Sequence, residues 1–194
     1  VLGSGRAAIL PYTVPIPGIS QAAIVVLLLM SVFVALGSIP CANLTDPVLG
    51  PLSCLAIKSG LVLVANVNER QDCVAGQSGC PQEGAFTYNT EVAFSPNGTL
   101  IAVYRKEHPW FTKTYNTPVN QSIVTFKTDF GVEFGLLICN DIRFDHPKNA
   151  LVAAGVRHFP YSVAMSLSLM QWFFIERWAS NAGVVVISAN SGYD

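Results

Sequence analysis

Cys139 stands where a nucleophile would be placed. It ends an apolar run, Phe134 to Ile138, and is followed by the polar pair Asn140-Asp141. Strand ends in α/β proteins open onto the ligand crevice, and the backbone N–H groups that follow can hold an oxyanion, so a thiol here suits attack on a carbonyl carbon. Taken alone the position decides little, because an unpaired cysteine is more often a small buried hydrophobe than a catalyst. Counting the cysteines sets it apart. Cys41 and Cys54 bracket a loop-like stretch with Asn43, Asp46, Pro47, Gly50 and Pro51, and Cys73 and Cys80 bracket Val-Ala-Gly-Gln-Ser-Gly. Pairs of this kind read as local disulfides of an oxidising compartment. Metal binding is the alternative, but the chain has no C-x-x-C spacing and no H-x-x-x-H companion. Pairing those four leaves Cys139 over.

The composition bounds the setting. At 194 residues the chain is long enough for one domain with a substantial core. Apolar residues reach 51% and charged residues only 12%, which excludes disorder and calls for a search for a secretory or membrane segment. Lys+Arg number 11 against Asp+Glu 12, a balance with no basic footprint, and nucleic acid is excluded as a partner. Ala22 to Leu36 carries no charge and one polar residue, Ser31. It is short for a membrane span and suits a signal-peptide core, with cleavage expected just before Ser38. Arg6 lies far upstream of it, with Pro11, Pro15 and Pro17 between, so a signal anchor and a buried core helix stay open beside that reading. The expected division is a leader over 1–37 and one domain over 38–194. Sequons at Asn43, Asn97 and Asn120 agree with a secreted glycoprotein.

The elements that must position Cys139 follow from periodicity. Leu61 to Val67 is a continuous apolar run, expected as a strand buried on both faces. Thr87 to Phe94 and Thr99 to Tyr104 are expected strands joined by the turn Ser95-Pro96-Asn97-Gly98. Ile123 to Phe126 and Phe134 to Ile138 make a further pair. Beyond Cys139 the period changes. A helix is expected over His146–Ala154 with Gly155 as its stop, then a strand over Val156–Tyr161. Next come a helix from Ser166 to about Ala182 and a buried strand over Val184–Ala189. This alternation argues for an α/β sheet covered by helices. Trp172, Phe173, Phe174 and Trp178 lie at helical spacings and are expected to pack.

The segment Gly135-Leu-Leu-Ile-Cys139-Asn-Asp141-Ile-Arg143-Phe144 resembles the nucleophile motif of the nitrilase superfamily, in which a strand delivers Cys into C-x-D-x-R-F. Tyr104-Arg105-Lys106 is similar to the family's lysine motif. Trp178-Ala-Ser-Asn181 through Ser188-Ala-Asn190 is similar to its later helix and strand. Ile39-Pro40-Cys41, Leu52-Ser-Cys54, Val64-Ala-Asn66, Tyr88-Asn-Thr90 and Thr128-Asp-Phe-Gly131 resemble the pantetheinase and biotinidase branch, its insect vanin-like members most of all.

The resemblance implies a nitrilase-type α-β-β-α sandwich, here incomplete, acting on a small linear amide with no metal and no organic cofactor. It gives Cys139 the role of nucleophile and Lys106 that of a cation that lowers the thiol pKa and stabilises the oxyanion. The Asn140 backbone N–H becomes an oxyanion donor, with Asp141 and Arg143 nearby. It also calls for a glutamate as general base, upstream of the first cysteine loop. Residues 1–38 contain no acidic residue, and none of Glu69, Glu83, Glu91, Glu107, Glu133 and Glu176 stands at a matching position. A shortened member is therefore expected, either active or retained only for binding. Its location is secreted or on the extracellular face of the plasma membrane, with any tether outside this chain. Asp141 and Arg143 are expected to form an ion pair under the nucleophile turn. His108 either lines a pocket or sits on a surface loop, and Trp110 and Phe111 either face substrate or cover the core.

Overall fold

The computed structural model describes residues 36–42, 46–74, 76, 79–120, 122–164 and 169–190. The apolar run up to residue 35, Asn43 and Ser166 lie outside them, as do the side chains of residues 169–172, including that of Trp172. The chain divides into two compact units: residues 1–103 with 111–116, and residues 104–110 with 117–194.

The first unit is a sheet in the order β1-β2-β3, built from Leu63–Asp72, Ala85–Phe94 and Leu100–Arg105, with the last two residues of β3 grouping with the second unit. β1 and β2 run antiparallel in unbroken register from Leu63 opposite Phe94 to Asp72 opposite Ala85. β1 extends beyond the expected Val67 and is mostly half-buried, not buried on both faces. Alternating side chains send one face of its later half toward the core and the other outward. Helix α1, Leu49–Ser59, was not expected; it occupies much of the stretch between the first two cysteines and carries Cys54. Gly50 and Pro51 suggest a loop, yet they fall in the first turn, where proline's missing N–H is no loss. Asp46 starts the helix by accepting from the Val48 and Leu49 N–H groups at 2.8 and 2.6 Å, and Gly60, at φ 64°, ends it. The disulfides Cys41–Cys54 and Cys73–Cys80 are both formed, as the spacing predicts. Leu49 and Ala56 of α1 pack with Val67, Val92, Phe94, Leu100 and Val103 of the sheet.

The β2–β3 turn fits closely against α1. Gly98 has φ +82°, and a Cβ built on it would lie 2.7 Å from Ile57 Cδ1 and 2.8 Å from Ser53 Oγ. The Ser53 hydroxyl donates to the Gly98 carbonyl at 2.7 Å, so the contact is fixed from both sides. Gly98→Ala is therefore expected to cost about 3 kcal/mol, part from the left-handed backbone and part from overpacking. A urea-denaturation midpoint lowered at unchanged slope checks it.

The second unit is a sheet in which β4 (Thr125–Lys127) pairs antiparallel with β5 (Glu133–Gly135). β5 and the two-residue β6, Leu137–Ile138, both pair parallel with β7, His158–Val163. β7 in turn pairs parallel with β8, Val185–Asn190. Helix α2, Lys148–Ala153, lies between β6 and β7 in sequence, and α3, Leu169–Ala182, between β7 and β8. Leu137, Ile142, Leu151, Val156, Phe159, Tyr161, Val163 and Val184 form the core. Trp178 packs edge-on against Phe159, as expected. Phe173 and Phe174, expected to pack too, are exposed. β8 corrects a second expectation: despite its apolar sequence its residues are exposed or half-buried, because it pairs only with β7 among the described strands.

Candidate functional site

β6 ends at Ile138, and the chain turns at once into a short 3-10 turn, Cys139–Arg143. Cys139 begins that turn with φ 45°, the only non-glycine residue at positive φ among the described residues. Such a conformation costs an L-residue about 1–2 kcal/mol and persists only where the surroundings enforce it. Here the enforcement is visible. The Tyr161 hydroxyl on β7 donates to the Cys139 carbonyl at 2.6 Å, and the Ile138 N–H donates to Asp141 Oδ2 at 3.0 Å. Cys139 is half-buried and is the free cysteine of the chain.

Asp141 is fully buried and is the hub of the turn. Its Oδ2 also accepts from the Tyr104 hydroxyl at 2.8 Å, and its Oδ1 accepts from the His108 backbone N–H at 2.9 Å and lies 3.2 Å from His108 Nδ1. A buried carboxylate is tolerated only when its lone pairs are satisfied in this way. Burial, and then the charge of Asp141, push the Tyr104 phenol well above its ordinary pKa, so it remains a donor. The expected ion pair with Arg143 is absent among the described residues. Arg143 is exposed, its guanidinium 5.8 Å from the centroid of the Trp110 ring, and Asp141 turns inward to donors that need a buried acceptor. Trp110 and Phe111 are both largely exposed and do not cover the core.

Lys106 follows β3 directly and is 5% exposed. The segment around it is tied to the cysteine turn at several points. Besides the Tyr104 and His108 bonds, Asn140 Nδ2 donates to the His108 carbonyl at 3.0 Å, and the His108 ring stacks on Phe144 at 3.8 Å between centroids. His108 is thus a structural member of the turn with a side chain 20% exposed. Lys148 Nζ donates to the Ile142 carbonyl at 3.1 Å near the end of the turn. The structure so brings the segment carrying Lys106 together with Cys139, Asn140 and Asp141, and leaves Arg143 at the rim.

One pair had no signal in the sequence. Glu107 is buried to 1% of its side chain and lies 2.6 Å from His146 Nδ1 through Oε2, while its Oε1 has no hydrogen-bond partner. Among the described residues no group of three or more His, Cys, Asp or Glu side chains could hold a metal ion, and no helix is long and apolar enough to cross a membrane.

The carbon-nitrogen hydrolase family profile matches residues 21–190. The chain belongs to the carbon-nitrogen hydrolase family. Among curated members it is 42% identical to mouse biotinidase over 147 residues, 74% of this chain and 28% of that protein. It is 36% identical to mouse pantetheinase over 163 residues, 78% of this chain and 31% of that protein. It therefore spans under a third of the curated hydrolases it matches. Among solved structures it superposes on Saccharomyces cerevisiae Nit3 of the nitrilase superfamily with TM-score 0.63 and 25% identity, covering 77% of this chain and 52% of that one. An amidase from Nesterenkonia sp. shares the fold at TM-score 0.57 and 19% identity over 73% and 51% of the two chains. The α/β fold expected of the nitrilase type is thus that of the family.

Proposed function

We propose that this chain carries the nucleophile of a thiol-dependent hydrolase of linear amide carbon-nitrogen bonds, acting on a pantetheine-like amide, with biocytin-like amides next. The observation that carries the reading is Cys139, free, at positive φ on the end of β6, in a turn bound to the segment of buried Lys106. In the proposed reaction the Cys139 thiolate attacks the amide carbonyl, and the C–N bond breaks as the amine leaves with a proton. The resulting thioester is cleaved by water to the free acid. Lys106 holds the charge that favours the thiolate and the oxyanion, and the Asn140 N–H supplies a second oxyanion donor. The general base called for by the family is a glutamate, and residues 1–38 do not supply one.

A second reading has its own support. Both buried carboxylates flanking Lys106 and Cys139 in sequence, Glu107 and Asp141, are already engaged by histidines, which favours a relative that binds the amide without cleaving it. Incubation with pantetheine and with biocytin, with the released amine quantified, separates the readings. Faster release from pantetheine is the expected result, and faster release from biocytin exchanges the order of substrates. No release from either, with Cys139 still alkylated, leaves the binding reading.

The two disulfides support an exported protein, since such bonds persist in oxidising compartments. The apolar run Ala22 to Leu36 is proposed as its signal, and exposed Asn97 and Asn120 as glycan acceptors alongside Asn43.

A further inference from the structure

The geometry points to Glu107 as a positioning residue: paired with His146, it holds the Lys106 segment at the cysteine turn and so sets the charge felt by the Cys139 thiol. This rests on the proposed roles of Cys139 and Lys106. The segment from Tyr104 to His108 meets the region from Ile138 to His146 at two places, one on each side of the turn. On one side Asp141 takes Tyr104 and His108; on the other His146 takes Glu107 at 2.6 Å. Asp141 brackets Lys106 through Tyr104 and His108, and the Glu107–His146 pair adds the restraint that stands next to Lys106 in the chain. A buried carboxylate with one oxygen unsatisfied is costly to keep. Its cost is explained if it restrains a neighbour whose placement matters.

The charged and titratable groups of these two stretches, besides Cys139, include Lys106, Glu107, His108, Asp141 and His146, with Arg105 half-buried and Asp145 exposed. Tyr104 is kept neutral, Arg143 sits at the rim, and Lys148 is bound to the Ile142 carbonyl. Glu176 and Arg177 on α3 are exposed. This inventory gives the test a sign. Removing the negative charge of Glu107 would by itself make the thiolate easier to form. Releasing Lys106 would do the opposite.

The measurement is the rate of iodoacetamide alkylation against pH on the whole chain, which reads Cys139 alone because the other four cysteines are paired. The native chain should be alkylated at neutral pH about tenfold faster than Lys106→Met, with the rates converging at high pH where any thiol is ionised. Glu107→Gln should slow alkylation at neutral pH about tenfold and leave the rate at high pH unchanged. Neutral-pH alkylation that is unchanged or faster in Glu107→Gln, with a cooperative melt intact, overturns the inference, since a merely structural role would lower the melting temperature without slowing the thiol. Should Glu107→Gln fail to fold, His146→Gln, at a side chain 38% exposed, decides by the same criterion. A native chain alkylated no faster at neutral pH than Lys106→Met sinks the activated-nucleophile reading instead, so the two failures are distinguishable.

Discussion

Replacing Cys139 by alanine is expected to abolish the proposed amide hydrolysis, by about 10⁴-fold or more, and to leave no site for iodoacetamide. The size of the effect follows from the chemistry. In the proposed reaction the thiol forms the covalent bond, and no other cysteine can replace it, because Cys41, Cys54, Cys73 and Cys80 are held as disulfides. The serine, threonine and lysine groups that remain are weaker nucleophiles at neutral pH and have no base beside them in the turn. The fold should survive the change. Cys139 is half-buried at the edge of the second core and owes its backbone to Tyr161 and Asp141, not to its sulfur. An alanine at φ 45° meets the strain that the cysteine already bears, so the melting temperature should move little. Mass spectrometry after alkylation gives the first check, with one adduct on the native chain and none on the variant. Released amine gives the second. Equal amine release by the two proteins would remove the thiol from the reaction.

The parts of this molecule that were legible in the sequence are those whose signal is local. Cys139 ends a strand and precedes a polar turn, and its motif reads within ten residues. The disulfides are short-range closures, and the turn at Asn97-Gly98 carries its own conformational signature. The core-facing stripe of α3 was legible only in part: Ile175, Trp178, Ala179 and Ala182 pack half-buried on the core, and of these only Trp178 was expected to. Phe173 and Phe174 fall off that stripe, and hydrophobicity alone misassigns them. β8 shows why the rest was not legible: its composition is that of a buried strand, but burial depends on what lies against it. The histidine pairs fail for a related reason. His108 and Asp141 are 33 positions apart, and His146 and Glu107 are 39 apart, so no window of sequence contains either partnership. The reading of Asp141 with Arg143 took the near neighbour, whereas the fold supplied distant and better buried donors.

Asp141→Ala is expected to cost about 4 kcal/mol of folding stability, the largest loss for any single change in the turn. The carboxylate accepts from the Tyr104 hydroxyl and from the backbone N–H groups of Ile138 and His108, and it is fully buried. Alanine removes an acceptor that serves three donors and provides nothing in its place. Each orphaned buried donor costs about 1–3 kcal/mol, less whatever an entering water recovers. Tyr104 is the worst placed of the three, because burial already holds its phenol in the neutral form and leaves the hydroxyl little access to solvent. Against the 5–15 kcal/mol that holds a typical domain, the loss removes a large part of the margin. Asp141→Asn separates charge from acceptor. It keeps one oxygen but turns an NH₂ toward donors, so its cost should fall between those of the native residue and alanine, near 2 kcal/mol. Urea denaturation of the three proteins under one condition measures the series through midpoint and slope. A loss below about 1 kcal/mol for the alanine variant would mean that solvent satisfies these donors as well as Asp141 does, and that the turn holds Cys139 by other means.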